Sequence, residues 1–246
     1  MPTDAGTPKG GLGTIRNATL LMDLLAQAPY MHQLSDLAQR SGMTVPTVHR
    51  LLRSLVHAEY AEQDPTTSRY GLGRALTRLA VRQMENSPVL SALSPFLSSL
   101  RDQLDATVGV HVLVAGDAVC IDQVEATDRG PFRRPLHAGP ALESAPGRLL
   151  AAHAPETTWQ DVHAAAAPDT AAECAPLRAE WRAADHLVHR SAAPGAADEV
   201  AVPVRAVDGT VVAALSADLP SDADAARFVP LLTRTAVSGG RSIPHA

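Results

Sequence analysis

The sequence is poor in the residues that build disulfide frameworks and metal centres. Its 246 residues include two cysteines, Cys120 and Cys174, which are far apart and match no paired metal-ligand spacing. Free thiols in a reducing compartment therefore fit better than a disulfide framework. His111, His137 and His153 could converge in a folded domain, but no two histidines show the i, i+4 spacing of a zinc-binding helix. We therefore predict no metal and no cofactor.

Long apolar runs and a strong positive charge are also missing. No stretch approaches the ~18 apolar residues of a membrane span, and the opening MPTDAGTPKGGLG lacks the apolar core of a signal peptide. We expect a cytoplasmic protein without a membrane partner, whose residues 1–13 form a flexible arm. The net charge is −5, divided into +1 for residues 1–74 and −6 for residues 75–246. Any nucleic-acid site must therefore be local.

The residues that are present indicate helices near the N-terminus. In TIRNATLLMDLLAQAP, Ile15, Ala18, Met22 and Leu25 share one helical face, with Thr14 as a cap. A second, shorter helix is predicted in QLSDLAQRSG, and it must end at the glycine, where a left-handed backbone is needed.

A third helix follows this glycine turn. Thr44 can accept its first free N–H groups, and Pro46 is tolerated in its first turn. An apolar stripe at i, i+3, i+4 and i+7 predicts its buried face. The residues of this stripe are Val48, Leu51, Leu52 and Leu55.

The opposite face of the third helix carries small hydroxyls near its start and arginines further along. Guanidinium groups suit guanine edges or phosphates, and threonine hydroxyls suit phosphates or a base edge. Two short helices joined by a glycine turn match the helix-turn-helix that enters the DNA major groove. We therefore predict DNA contacts from Thr44, Thr47, Arg50 and Arg53, and none from His57.

The segment YAEQDPTTSRYGL is typical of a hairpin that follows a recognition helix. Asp64-Pro65 opens a polar turn between two short strands. Four residues lie at or beside its tip and are predicted to contact the DNA backbone. They are Thr66, Thr67, Ser68 and Arg69. Residues 14–73 are thus predicted to form a winged helix-turn-helix.

The segment SGMTVPTVHRLLRSLVHAEYAEQDPTTSRYGLGRALTRLA resembles the isocitrate-lyase-regulator (IclR) family of bacterial transcription regulators. Its glycine turn, TVHRLL core, wing and YGLG junction all have family counterparts. The family's Lys-Ser-Thr-like helix start is replaced here by Val45-Pro46-Thr47, so the operator preference does not carry over. The resemblance implies a linker helix after the wing and a C-terminal GAF-like effector-binding domain.

The rest of the chain is consistent with that organisation. LGRALTRLAVRQM predicts a linker helix over residues 74–87, which leaves residues 88–246 as the second domain. After a helix over Val89–Leu104, hairpins are predicted around Ala115–Asp117 and at Asp208-Gly209. Between them lie an arginine-bearing loop, DRGPFRRPLHAG, and alanine-rich helices. Antiparallel strands flanking helices predict an α+β fold.

The segment SAPGRLLA is similar to the family's Thr-Ala-x-Gly-Lys-x-x-Leu-Ala helix start. A serine cap, a glycine that allows close approach and a cation in the first turn can hold an anion at a helix N-terminus. We therefore predict that Ser144, Gly147 and Arg148 bind a small anionic effector. The alternative is an ordinary capped helix with a surface arginine.

Facing strands and the adjoining loop add further candidates for the effector site. These are Val112, Cys120, Asp122, His137, Asp198 and Glu199. For Cys120 and the valine, a place in the apolar core is the alternative.

Together these features predict a repressor or activator of transcription whose operator affinity changes with a small effector, such as a carboxylic acid metabolite. One recognition helix reads too few base pairs for specificity, so a homodimer or a dimer of dimers is expected on double-stranded DNA. The chain is not predicted to be an enzyme, because it has neither a Gly-x-Ser-x-Gly elbow nor a phosphate-binding glycine loop. Two alternatives stay open: a metabolite-processing enzyme domain fused to a DNA-binding head, and a ligand-independent DNA-binding protein.

Overall fold

The computed structural model describes residues 11–127, 137–190, 198–220 and 224–244. The chain divides into two compact units, Met1–Gln83 and Met84–Ala246. None of the helices in these described ranges is long and apolar enough to cross a membrane.

The first unit contains three helices and a two-stranded hairpin, and a fourth helix runs from it into the second unit. In chain order they are α1 (Gly11–Leu25), α2 (Leu34–Ser41), α3 (Val45–His57), β1 (Ala61–Gln63), β2 (Tyr70–Leu72) and α4 (Arg74–Glu85). The two strands are antiparallel. Side chains from α1, α2, α3 and both strands form one apolar core.

The start of α1 differs from the prediction. The helix begins at Gly11, so residues 11–13 are helical and Thr14 lies inside the helix instead of capping it. The added turn gives more backbone N–H groups an intrahelical carbonyl partner. Ile15 is 66% exposed, because the first turn extends past the core that buries Leu21 and Leu25.

The turn between α2 and α3 confirms the prediction. Gly42 ends α2 in the left-handed region, with φ of 69°, and its N–H donates to the Gln39 carbonyl. Pro46 lies in the first turn of α3. The predicted stripe is the buried face of that helix: Val48, Leu51, Leu52 and Leu55.

The second unit is built on one six-stranded antiparallel sheet in the order β5-β4-β3-β8-β7-β6. Its helices are α5 (Pro88–Leu104), α6 (Ala145–His153), α7 (Glu156–Ala165), α8 (Pro168–Cys174), α9 (Arg178–Ala183) and α10 (Val229–Gly240). Its strands are β3 (Val108–Val114), β4 (Asp117–Val124), β5 (Ala138–Pro140), β6 (Leu187–His189), β7 (Asp198–Arg205) and β8 (Val211–Leu219). Short 3₁₀ turns precede α6, α9 and α10.

The two faces of the sheet are covered by different helices. On one face, Leu93 and Leu97 of α5 and Leu232 of α10 join the main core with alternate residues of β3, β7 and β8. On the other face, α6 packs Leu149 and Leu150 against small residues of β7 and β8. We call these the α5/α10 face and the α6 face. Because side chains alternate along a strand, neighbouring residues face different helices.

Both predicted hairpins are present. Ala115 and Gly116, with φ of 50° and 94°, form a two-residue turn between β3 and β4. In the second hairpin the Asp208 carboxylate accepts the Thr210 N–H at 2.9 Å, and Gly209 has φ of 85°. The predicted α+β class, with an N-terminal winged helix-turn-helix, is therefore confirmed. Most of the arginine-bearing loop, residues 128–136, lies outside the described residues.

Candidate DNA-binding surface and effector site

The buried stripe of α3 fixes which side chains face outward. With Val48 and Leu52 fully buried, Arg50 and Arg53 are exposed and Thr47 is half-buried. Within the described part of the chain, neither guanidinium group has a hydrogen-bond or ion-pair partner. These two arginines therefore keep their full donor capacity for an external acceptor such as a phosphate or a guanine edge.

Thr44 does not cap α3 as predicted. It occupies the cap position, with φ of −69° and ψ of 147°, but its hydroxyl accepts no backbone N–H. Instead the Thr44 and Thr47 hydroxyls lie 2.9 Å apart and share a hydrogen bond. The predicted local cap is replaced by a pair of hydroxyls at the exposed start of the helix.

The tip of the β1–β2 hairpin is held together by Asp64. Its Oδ1 accepts the N–H groups of Thr66 at 2.8 Å and Thr67 at 2.6 Å. Its carbonyl accepts the Ser68 N–H at 2.9 Å, and Ser68 adopts a positive φ of 56°. The N–H groups of Thr67 and Thr66 lower the pKa of Asp64. The four predicted tip residues, including Arg69, are all exposed around this turn.

An ion-pair cluster that sequence reasoning missed joins the turn after α3 to the start of α4. The Glu59 carboxylate accepts hydrogen bonds from Arg74, with Nε at 3.0 Å, and from Arg78 at 3.4 Å. The Arg74 hydrogen bond and charge, followed by those of Arg78, lower the pKa of Glu59. From the helical spacing alone, the arginines of α4 were predicted to form a solvated row. Arg74 and Arg78 are 15 and 19 positions after Glu59, and the sequence does not show that they are its neighbours.

In the second unit, the backbone N–H groups in the first turn of α6 already have hydrogen-bond acceptors. Ser144 caps the helix, since its Oγ accepts the Gly147 N–H at 3.2 Å. Glu199 of β7 accepts the Ala145 N–H at 3.3 Å, and Pro146 has no N–H. An added Cβ at Gly147 would lie 2.1 Å from the Ala141 carbonyl oxygen, so only glycine fits. An anion that binds these N–H groups would have to displace Glu199.

Arg148 is not a plain surface arginine. Its Nε donates to the Leu142 carbonyl at 2.7 Å, and its guanidinium lies 5.5 Å from the Trp181 ring centroid. The stem is therefore held between the 3₁₀ turn before α6 and helix α9. This arrangement orients the guanidinium beside the helix start while leaving further donors for a ligand.

Polar side chains on the α6 face form a buried cluster beside this helix start. His111 is 5% exposed, and its Nε2 lies 2.9 Å from the Ser216 hydroxyl. The His111 and His137 rings are 6.2 Å apart, and the strand register pairs His111 with Cys120. We call His111, His137, Cys120 and Ser216 the His111 cluster. In the described part of the chain, the buried Nδ1 of His137 has no hydrogen-bond partner.

Burial keeps two members of the His111 cluster, His111 and Cys120, uncharged at neutral pH. Burial lowers the pKa of His111 to about 4, and the nearby His137 adds to the shift. Burial raises the pKa of Cys120 to about 11. The hydrogen bond to the Asp122 carbonyl lowers this pKa, whereas the negative charges of Asp122, Glu199 and Asp218 raise it further. Cys120 is therefore a thiol and a poor nucleophile. His111 and Ser216 can offer neutral hydrogen-bonding groups to a small polar ligand.

Three predicted effector residues lie elsewhere. Val112 packs against the core of the α5/α10 face, and the Asp122 carboxylate accepts a hydrogen bond from Ser94 of α5. Asp198 pairs with Arg190 at 2.6 Å. The prediction selected strands without their faces, and a bulge after Val110 shifts the β3–β4 register, so the structure does not bring these three side chains to the start of α6.

His111 and Ser216 were missed, although the sequence carries a signal for both. His111 is the one polar side chain of β3, VGVHVLV, and Ser216 interrupts the apolar run VVAALSA of β8. A buried polar residue in such a strand is more informative than the apolar residues around it. Among the described residues, no group of three or more His, Cys, Asp or Glu side chains is arranged to hold a metal ion.

Comparisons with known proteins agree with this geometry. Residues 14–65 match the model of the IclR helix-turn-helix domain. The transcriptional regulator TtgV of Pseudomonas putida is 28% identical over 152 residues, which cover 61% of this chain and 58% of TtgV. The chain spans about half the length of the curated relatives it matches.

Solved structures share the fold over nearly the whole chain. A putative IclR transcriptional regulator from Silicibacter is 24% identical with a TM-score of 0.79, and the match covers 94% of this chain and 98% of that one. An IclR homologue from Microbacterium hydrocarbonoxydans, complexed with 4-hydroxybenzoate, is 19% identical with a TM-score of 0.69, covering 92% and 97%. The curated and structural relatives are named transcriptional regulators or IclR homologues.

Proposed function

We propose that the chain is a transcription regulator of the IclR family whose affinity for operator DNA changes with a small-molecule effector. The observation that carries the proposal is the outer surface of the first unit. The arginines of α3, which have no partner among the described residues, and the hydroxyl-rich hairpin tip belong to the same small domain. We place this activity in the cytoplasm.

The DNA-binding step uses two kinds of contact. Arg50 and Arg53 supply planar donors for base edges or phosphates in the major groove. The exposed tip residues, Thr66, Thr67, Ser68 and Arg69, contact the backbone beside it. The start of α3 adds the Thr44–Thr47 hydroxyl pair. Because one helix reads few base pairs, the active form is a homodimer, alone or paired, on a roughly palindromic operator.

The effector step belongs to the α6 face of the second unit. Arg148 provides a cation, Ser144 and Gly147 shape the helix start, and the His111 cluster supplies polar groups. This chemistry suits a small carboxylic acid. The complex of the Microbacterium homologue with 4-hydroxybenzoate, an aromatic carboxylate, supports the same ligand class.

A ligand changes DNA affinity only through different affinities for the DNA-competent and incompetent states. Release of a repressor and recruitment of an activator are both compatible with that rule. Two assays distinguish the proposal from its alternatives, which are an enzyme domain fused to a DNA-binding head and a ligand-independent DNA-binding protein. Turnover of a bound acid supports the first, and unchanged DNA affinity across a panel of carboxylic acids supports the second.

The DNA-binding proposal is tested by gel-shift titration with the DNA that flanks the gene of this chain, repeated at rising salt. Arg50→Ala is expected to weaken binding by about tenfold or more, because a bidentate arginine–base contact contributes about 1–3 kcal/mol. His57→Ala, on the same helix but in its last turn, serves as the matched control. Equal affinity and specificity in both variants removes Arg50 from the contact surface.

A further inference from the structure

A cavity lies at the β7 edge of the sheet. Its volume is about 910 Å³, and it runs between the end of β7 and helix α10. We call it the α10 groove. Pockets of about 300–1,000 Å³ are typical of small-molecule sites. The first turn of α6 and the His111 cluster contribute no residue to its lining.

The walls of the α10 groove are mostly apolar. Pro203 lines it from β7, and Val229, Pro230 and Val237 line it from α10. Val207 and Val237 are 63% and 52% exposed, so the groove offers apolar surface that the fold itself leaves uncovered. An occupant with an apolar body would remove this surface from water.

The charged groups around the groove are mainly positive. The described lining residues include three arginines and one acid: Arg205, Arg234, Arg241 and Asp185. This local excess of positive charge stands in a region, residues 75–246, whose net charge is −6. The Arg205 guanidinium is already used, because it donates to the Gly209 carbonyl at 3.1 Å and contacts His153 at 3.3 Å.

Arg234 and Arg241 are the groups available to a ligand. Both are exposed, and neither has a hydrogen-bond or ion-pair partner in the described ranges. Arg234 lies in α10, and Arg241 follows its last residue with helical dihedral angles, φ −63° and ψ −20°. The two are seven residues apart, about two helical turns or ~10.5 Å of rise, so their side chains leave the same side of the helix axis. Guanidinium groups bind carboxylates with paired, charge-assisted hydrogen bonds.

The groove does not suit an added β-strand. β6 pairs only with residues 199–201 of β7, so the outer edge of β7 from Val202 onward has no strand partner among the described residues. Pro203 at this edge has no N–H to donate to a ladder. The observations favour a compact molecule over an extended peptide.

We propose that the α10 groove binds a small organic carboxylate with an apolar body, held by Arg234 and Arg241 over the valine and proline walls. This is a second ligand site, separate from the effector site on the α6 face. It goes beyond the proposed function, and its test needs no DNA.

The test is calorimetric titration of the full chain with octanoate as the probe. We expect saturable binding with a Kd below about 1 mM. Octylammonium, which has the same chain and the opposite charge, is expected not to bind. The double variant Arg234→Gln/Arg241→Gln is expected to weaken octanoate binding by about tenfold or more. Arg227→Gln, an exposed arginine outside the groove lining, is the matched control.

Two further variants locate the site. Val237→Asp, which adds a negative charge to an exposed wall position, is expected to weaken binding, whereas Val114→Asp, which adds the same charge at an exposed position outside the groove lining, is expected to leave it unchanged. The proposal is overturned if octanoate does not bind, if octylammonium binds as well, or if Val114→Asp weakens binding as much as Val237→Asp does. It is also overturned if the double variant converts a dimer into monomers in sedimentation, because the groove would then be an interface between two copies.

Discussion

At the scale of single residues, His111 shows how a buried polar group sets a chemical property of the domain. Its ring is held in the sheet by Ser216 and faces His137. The pKa of about 4, against 6.5 for an ordinary histidine, means that the fold keeps this ring neutral. Between these two values the unfolded chain binds more protons than the folded one.

We predict that His111 makes the fold sensitive to acid. The stability that it supports is fully present above pH 6.5 and is lost as the pH falls towards about 4. The glutamine in His111→Gln cannot titrate. When the pH is lowered from about 7 to 5, the free energy of unfolding of this variant is therefore expected to fall by about 2 kcal/mol less than that of the natural chain. Urea unfolding at the two pH values measures this difference. Parallel losses in both proteins would contradict the assignment of the acid sensitivity to His111.

The candidate effector site was only partly predictable from the sequence. Ser144, Gly147 and Arg148 could be singled out as candidates because their spacing from the start of a helix has a local meaning. The structure places Val112 and Asp122 towards the α5/α10 face, because the face of a strand depends on the register and the bulge that tertiary pairing imposes. Glu199 at the start of α6 is a contact between residues 54 positions apart, which spacing does not reveal.

At the scale of elements, the hairpin after α3 is shaped by one carboxylate. Asp64 receives the two N–H groups of Thr66 and Thr67, and the Gln63 side chain donates to the Ser68 carbonyl at 3.3 Å. The tip therefore has a defined shape even though its side chains are exposed. A defined shape lowers the entropic cost of contacting DNA.

We predict that Asp64→Ala weakens operator binding severalfold while leaving the fold intact, because the exposed tip loses its two anchoring acceptor contacts. Asp64→Asn is the matched control. Its amide oxygen can accept the same N–H groups, so it is expected to retain most of the affinity. Gel-shift titration of the three proteins decides the matter, with circular dichroism to check folding. Equal weakening by both substitutions would show that the charge, not the turn, is what matters.

The elements themselves were largely predictable. Gly42, Pro46 and the apolar stripe of α3 gave the helix-turn-helix, because left-handed termination, first-turn proline and helical spacing are local rules. The start of α1 was not predictable, because Gly11 and Gly13 have a low helix propensity and yet lie in the first turn of the helix. The two glycine turns of the second unit were predicted because each requires a positive φ.

At the scale of the whole molecule, the proposed regulator needs two copies to read an operator of adequate length. We predict that sedimentation equilibrium gives a mass of at least twice the 25.8 kDa of one chain at micromolar concentration. Gel-shift stoichiometry with a single operator is expected to require two chains. A monomer that binds one half-site with full affinity would contradict the two-fold arrangement.

The order of the two units was predictable from composition, motifs and family resemblance. The sequence did not predict which surface of the second unit is left uncovered. The α10 groove is made by Pro203 and Arg205 of β7 together with α10 residues about thirty positions later. Its charge excess is invisible in a region whose net charge is negative.

The junction between β2 and α4 has a mechanical consequence. At Gly73 an added Cβ would lie 2.1 Å from the Glu59 carbonyl oxygen, which also accepts the Ala75 N–H at 3.0 Å. The Glu59 carboxylate is also bound to Arg74 and Arg78, so both the backbone and the side chain of Glu59 tie the first turn of α4 to the turn after α3. A change in the orientation of the recognition helix is therefore expected to move the first turn of α4 with it.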